Sequence, residues 1–359
     1  MSINFVGDKE RHFALAFAKE AKYDLEIANL ILKYVDTAYK ESGEAVFYIN
    51  RRILYLLQQA SEKILKAYVM SFFVDLAGFI VKVVGKLDRN KFPRIYRIYK
   101  KIAKLTPQQI GHKVHKDFLI IIRALYNLIC IYREETIQYI KLFLNKLDSL
   151  IEVFKSEILK TPNLSDSEKN NLIKDLELLI DRVKKDILTV FSSIKCSEQI
   201  KLDEKVLSKS LQPPCLARTL KAYLDMKNNI NNVLKSLEPT LKEKVESKVS
   251  EYKPFIIRIF KQFVKVDVAH IEVTINEAVR TLSNLRIFLY PIAFLPLYMC
   301  LHWYESGGRY PDRIVEVGID KVREDIIFVK RVADAVGEIV DLLSDTIITL
   351  YENGSVHRH

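Results

Sequence analysis

The stretch Tyr55–Tyr68, YLLQQASEKILKAY, constrains the fold more than any other part of the chain. Around it the apolar residues recur at spacings of three and four, the periodicity of one buried helix face; they are Leu54, Leu57, Ile64, Leu65 and Tyr68. A polar stripe follows the same spacing and consists of Gln59, Glu62, Lys63 and Lys66. The sequence predicts a bundle helix within a helical run from about Ala45 to Val84. Periodicity favours a solvated face for the stripe, and a binding groove is the alternative.

The composition predicts an almost entirely helical protein. Of the 359 residues 49% are hydrophobic, which is enough for a sizeable core, and the chain has only 10 glycines and 10 prolines. So few turn-forming residues argue against a β protein with many turns. The abundance of lysine and isoleucine with few cysteines suits a thermophile, as in some archaea. The length allows two or three domains, or one domain with a large insertion.

The cysteines and the apolar segments bear on the cellular compartment. Cys130, Cys196, Cys215 and Cys300 lie far apart and show no CxxC spacing, so we expect reduced thiols, no metal site and a cytoplasmic protein. Met1–Glu10 is polar, and we expect no signal peptide. Ile287–Tyr304 is uncharged for 18 residues but is interrupted by Pro291 and Pro296. We expect it to be a buried, kinked core segment rather than a membrane span.

The positive charge of the chain is concentrated between Lys82 and Arg123. This segment has 12 basic and 2 acidic residues, a net charge of +10, whereas the whole chain carries +11. Phe92, Tyr96 and Tyr99 are interleaved with the cations. Cations that release counterions, next to rings that stack on bases, are typical of an RNA-binding surface. The alternative is a soluble basic face with both tyrosines in the core. The predicted contact residues are Lys91, Arg94, Arg97, Lys100, Lys101, Lys104, His112, Lys113 and Lys116.

Two histidines lie three residues apart on the third predicted helix, which Thr106 and Pro107 begin. No HExxH motif and no third ligand accompany His112 and His115. A phosphate contact or a buried hydrogen bond is therefore favoured over a metal site. We expect no cofactor.

Long helices are predicted beyond Thr136. Ser165 and Glu168 form a capping box that begins a helix ending near Ser192. Further helices are predicted over Leu216–Leu237, over Leu241–Phe263 after a break at Pro239, and over Val268–Tyr290. The segment Leu301–Asp312, LHWYESGGRYPD, leads into a last amphipathic helix that Pro311 and Asp312 begin. Its apolar face is predicted to use Val315, Val317, Ile319, Val322, Ile326, Val329, Val332, Val336, Ile339 and Leu343.

Three of these segments together resemble the HEPN family. Gln58–Tyr68 resembles the family's QxxEKxxKA helix, His115–Leu119 its HDL element, and Leu301–Asp312 the HY…RYPD entry to its last helix. The resemblance implies an all-α, up-and-down four-helix bundle, often a homodimer. The expected organisation is a bundle over residues 1–135 and 287–351, a helical insertion over residues 136–286, and a tail over residues 352–359.

The resemblance also implies functions. Many HEPN domains are RNases that use an arginine followed, after four to six residues, by a histidine, and no histidine here has an arginine at that distance. We therefore expect a non-catalytic protein that binds RNA or an RNA–protein assembly such as the ribosome. The first alternative is a nucleotide-binding or toxin–antitoxin component that partners a minimal nucleotidyltransferase. Its groove would use Gln59, Glu62, Lys63, Lys66, Arg309, Tyr310 and Asp312. The second is an atypical metal-independent RNase that uses His112 or His115.

Overall fold

All of the regular structure in the described part of the chain is helical, which confirms the predicted all-α class. The computed structural model describes residues 8–38, 43–74, 126–162, 164–193, 215–263, 268–305 and 326–352, and singly 90, 92, 93, 96, 120, 123 and 124. The helices are α1 (Asp8–Ala38), α2 (Gly43–Val69), α3 (Arg133–Lys160), α4 (Asp166–Ser193), α5 (Leu216–Phe263), α6 (Val268–Ser283), α7 (Arg286–Leu301) and α8 (Ile326–Glu352). One π-helical turn, Met70–Val74, continues α2, and another, Asn127–Ile131, precedes α3.

Helices α1, α2 and α8 pack together into the centre of the main hydrophobic core. Small side chains on α1 let the other helices approach closely, because Ala14, Ala18, Ala21 and Ala28 are all fully buried. The predicted apolar face of α8 is confirmed from Val329 to Leu343, and its predicted residues before Ile326 lie outside the described part. α8 runs antiparallel to α1, with ion pairs Lys22–Asp345 and Lys19–Glu352 at 2.7 and 2.6 Å.

Helix α7 is a buried core element, as the sequence predicted. Eleven of its residues between Ile287 and Leu301 are buried, and they pack in the same core as α2 and α8. The window Arg286–Glu305 is the one candidate in the described chain that is long and apolar enough to cross a membrane, and 67% of it is buried inside the protein.

A disulfide ties α5 to α7, so the expectation of reduced thiols is wrong. Cys215 precedes α5 and is bonded to Cys300 near the end of α7, with a Cα–Cα distance of 6.0 Å and a sequence separation of 85 residues. Cys130 is also disulfide-bonded. Spacing along the sequence could not reveal this bond, because it is the packing of two distant helices that brings their sulfur atoms together.

The first half of α5 packs in the main core, although its sequence lies in the predicted insertion. Leu216, Leu220 and Tyr223 share that core with α2, α7 and α8. In the remainder of residues 136–286, α6 packs on α5 and also contacts α8. α3 packs on α4 around a second cluster made of Ile151, Ile158, Leu172 and Leu176.

Two predicted helix boundaries are wrong. Pro239 does not end a helix, because α5 continues unbroken from Leu216 to Phe263 with Pro239 and Pro254 inside it. Proline removes one backbone hydrogen bond, and the exposed position of Pro239 leaves the freed carbonyl open to water. The helix predicted over Val268–Tyr290 instead divides at Asn284. Just before this point, the Ser283 hydroxyl donates a hydrogen bond to the carbonyl oxygen of Arg280 at 3.1 Å.

The capping box at the start of α4 is confirmed. The Ser165 hydroxyl accepts a hydrogen bond from the Glu168 backbone N–H at 3.3 Å, and the Ser165 backbone N–H donates to the Glu168 carboxylate at 2.9 Å. The Ser165 hydroxyl and backbone hydrogen bonds hold the pKa of Glu168 below its usual value. Local sequence therefore determines this helix start without help from tertiary packing.

Candidate functional site

The polar stripe of α2 is not a solvated face, and in this respect the sequence interpretation is wrong. Glu62 is 4% exposed and Lys66 is 9% exposed, and their neighbours Gln58 and Ser61 have no exposed surface. Gln59 and Lys63 are half-buried. α2 therefore carries a buried polar cluster, which we define as Gln58, Ser61, Glu62 and Lys66.

Each member of the buried polar cluster has a polar partner on α2 itself. Lys66 donates from Nζ to Glu62 Oε1 at 2.7 Å, and Gln58 donates from Nε2 to Glu62 Oε2 at 3.0 Å. Ser61 donates from its hydroxyl to the Leu57 carbonyl oxygen at 2.7 Å. Burial of polar groups requires this kind of pairing, because an unpaired charge in the interior is strongly destabilising.

The ammonium group of Lys66 also faces an aromatic ring of the neighbouring helix. Lys66 Nζ lies 5.7 Å from the centroid of the Phe17 ring on α1. A cation at this distance is attracted to the negative face of the ring. The Lys66 side chain is thus held by a carboxylate of its own helix and by α1.

Lys63 links the outer side of the stripe to α1. Its Nζ lies 2.8 Å from an Asp24 carboxylate oxygen and 3.2 Å from Glu20 Oε2. Burial by itself lowers the pKa of Lys63, but the two acidic partners outweigh this effect and the net pKa is raised. Lys63 therefore stays positively charged and cross-links α1 and α2 rather than pointing freely into solvent.

The chemistry open to the buried polar cluster is limited by its internal pairing. The Glu62 carboxylate neutralises Lys66 and accepts from Gln58, so both of its oxygen atoms are engaged. Near the end of α2, burial raises the pKa of Tyr68, and its phenol stays protonated. This arrangement is suited to fixing the packing of α2 rather than to transferring protons.

Two further buried polar residues lie between the start of α2 and the buried polar cluster, and the sequence did not predict them. Asn50 and Arg51 are buried with 2% and 5% of their surface exposed. Arg51 and Gln58 are separated by two helical turns, so they lie on the same side of α2. That seven-residue spacing was visible in the sequence and could have indicated a longer buried line.

The predicted RNA-contact residues Lys91 to Lys116 lie outside the described part of the chain, as do Arg309, Tyr310 and Asp312.

Two of the aromatic residues in the basic segment are described. Phe92 is buried and makes an edge-to-face contact with Tyr139, with ring centroids 5.8 Å apart. Burial there raises the pKa of Tyr139 to about 12. Tyr96 is half-buried and donates its backbone N–H to the Phe92 carbonyl oxygen at 3.0 Å. Phe92 is therefore a packing residue and is not available to stack on bases.

Outside the buried polar cluster, the described residues bring few groups of His, Cys, Asp or Glu side chains together. The described chain contains no group of three or more His, Cys, Asp or Glu residues that could hold a metal ion. His302 follows α7, and its Nδ1 lies 3.0 Å from Glu305 Oε2. In its described part the protein is therefore all-helical and carries the buried polar cluster on its second helix, α2. No family model, curated protein or solved structure matches the chain.

Proposed function

We propose that this protein is a non-catalytic helical protein that binds RNA, or an RNA–protein assembly such as the ribosome, through the segment Lys82–Arg123. The observation that carries the proposal is the segregation of charge: this segment has a net charge of +10 and the whole chain has +11. A concentrated run of cations gains affinity for a polyanion by releasing counterions from its phosphates.

The ion pairs of the described helices support this location of the polyanion surface, because cations on those helices are balanced by close acidic partners. Lys155 is paired with Glu152 and Glu177 at 2.8 and 2.6 Å. Lys248 likewise lies 3.0 Å from Asp186 and 3.2 Å from Glu251. Cations held in this way on α3 and α5 attract phosphates less strongly than an unbalanced run of the same size.

Phosphate contacts carry the proposed binding. Because Phe92 is buried against Tyr139, base stacking by this ring does not contribute. Contacts to phosphates hold RNA without reading its sequence. We therefore expect low sequence preference and strong dependence on salt.

The test is binding of a fluorescent single-stranded RNA, measured by anisotropy over a range of salt concentrations. Each neutralised phosphate contributes about 0.7 to the slope of log affinity against log salt, so four contacts weaken binding about 50-fold when salt is quadrupled. Reversing Arg94, Arg97, Lys101 and Lys104 to glutamate should abolish binding and flatten this dependence.

The matched control changes the net charge equally in another place. Lys174, Lys221, Lys235 and Lys244 are exposed on α4 and α5, and their reversal to glutamate should keep most of the affinity. If both quadruple variants lose affinity equally, net charge and not the segment governs binding, and the proposal is wrong. Tight binding without salt dependence would contradict it as well.

The nucleotide-binding alternative has less geometric support. Among the groove residues that the structure describes, Glu62 and Lys66 are paired with each other and buried, whereas Gln59 and Lys63 stay partly exposed. Saturable mononucleotide binding that survives the four reversals but is lost in Lys63→Ala would favour this alternative. Metal-independent RNA cleavage that is lost in His112→Ala or His115→Ala would favour the RNase alternative.

A further inference from the structure

A polar cleft lies between α5 and α6. Its volume is about 660 Å³, within the range of about 300–1,000 Å³ that is usual for small-molecule sites. On α5 its lining begins at Glu238 and ends at Lys253, and on α6 it begins at Asn276 and continues to Asn284 just beyond the helix. We call it the α5–α6 cleft. Its lining contains none of the residues proposed above for RNA or nucleotide binding.

Ion pairs occupy both ends of the α5–α6 cleft. At one end Lys253 is paired with an acidic residue of α6 at 3.3 Å. At the other end Glu238 Oε2 lies 3.5 Å from Arg286 Nη2 on α7. Between the two ends, Lys242 Nζ lies 3.9 Å from Glu246 Oε1 on the same helix. Both carboxylates of the lining therefore already have a cationic partner.

Arg280 is the charge of the cleft that remains unbalanced. It is exposed and forms no ion pair with the described residues. The lining as a whole has three cations and two carboxylates, a net charge of +1. A guanidinium group binds a phosphate or a carboxylate through two parallel hydrogen bonds. The cleft is therefore suited to an organic anion.

The other polar groups of the cleft are neutral and suit hydroxyl groups. Ser250 and Asn276 are exposed in its lining. The Oδ1 atom of Asn284 is buried and has no hydrogen-bond partner among the described residues. A buried acceptor without a donor is destabilising, and a hydroxyl group of a bound molecule supplies one.

We propose that the α5–α6 cleft binds a small organic anion that carries several hydroxyl groups, either a sugar phosphate or a sugar acid. The anionic group binds the guanidinium of Arg280, and a hydroxyl group of the same molecule donates to Asn284 Oδ1. Phosphate and carboxylate share this chemistry, and the choice of probes distinguishes them. The inference is independent of RNA binding.

Isothermal titration calorimetry with glucose 6-phosphate, ribose 5-phosphate and gluconate tests the ligand class. At least one of them should bind one-to-one with a dissociation constant below about 1 mM, and the tightest probe identifies the anionic group. Glucose and inorganic phosphate each carry half of the recognised groups and should bind at least tenfold more weakly. If no probe binds below this limit, or if either half binds as tightly as the whole, the proposal is overturned.

Two variants test the place of binding. Arg280→Gln should raise the dissociation constant at least tenfold, because it removes the charged hydrogen-bond donor. The matched control Arg331→Gln, at an exposed residue of α8 outside the cleft, should leave it unchanged. Ser250→Trp fills the cleft from an exposed position without changing its charge and should abolish binding.

The outcomes separate this cleft from other sites. An Arg280→Gln variant that binds like the wild type, or an equal loss in Arg331→Gln, overturns the proposal. A loss of binding in Lys63→Ala would place the probe beside α2 and would overturn it as well. Arg280, Arg331 and Ser250 are all exposed, so an unchanged circular dichroism spectrum shows that the helices remain folded.

Discussion

The buried ion pair Glu62–Lys66 makes the sharpest prediction about the energetics of this protein. Both side chains are buried, with Lys66 Nζ 2.7 Å from Glu62 Oε1. The substitution Lys66→Met keeps the length of the side chain and its apolar contacts but removes the ammonium group. Glu62 then remains as a buried carboxylate with the amide of Gln58 as a donor at 3.0 Å.

The expected magnitude follows from burial. Removing one partner of a buried pair destabilises a protein by about 3–5 kcal/mol, whereas an exposed i,i+4 pair contributes only about 0.3–0.5 kcal/mol. Replacing both Glu62 and Lys66 by methionine removes the two charges together. Gln58 then loses an acceptor in the interior, so we expect the double variant to be less stable than the wild type by about 1–2 kcal/mol. It should nevertheless be more stable than Lys66→Met alone.

Urea unfolding followed by far-UV circular dichroism measures these differences from the transition midpoints. The matched control is Lys19→Met, because Lys19 forms an exposed pair with Glu352, with side chains 47% and 45% exposed. Its effect should not exceed about 1 kcal/mol. If Lys66→Met costs no more than Lys19→Met, the pair behaves as solvated and the reasoning from burial is refuted.

Three further predictions concern the cross-links and the pH dependence of the fold. Replacing Cys215 and Cys300 by alanine should destabilise the protein by about 4–5 kcal/mol, because the bond closes a loop with a sequence separation of 85 residues; thiol labelling of the denatured, unreduced protein at these two positions would contradict the bond. Ser165→Ala should lower stability by about 1 kcal/mol through loss of the α4 cap, seen as a lower urea midpoint, and an unchanged midpoint would show that the cap is dispensable. The raised pKa of Lys63 adds stability that is complete below its ordinary pKa of 10.5 and is lost as pH rises through the higher folded value. The stability advantage of the wild type over Lys63→Met should therefore shrink between pH 8 and strongly alkaline pH, and an advantage that is constant with pH would contradict the ion pairs.

Local sequence determined the parts of the fold that depend on neighbouring residues. The helical run predicted from about Ala45 contains α2, which spans Gly43–Val69. The start of α4 follows from the Ser165–Glu168 capping box, and the burial of α7 follows from its lack of charge. These features were predictable because helix periodicity and capping act over three to seven residues.

Tertiary structure alone decided which polar face of a helix is buried. A stripe of glutamine, glutamate and lysine has the same periodicity whether water or protein surrounds it, so Glu62 and Lys66 were expected in solvent and are found in the interior. The disulfide between Cys215 and Cys300 and the entry of α5 into the main core depend on the meeting of distant helices. The sequence determines which segments are helices, because that free energy is largely local. Which faces meet is decided by packing over the whole chain.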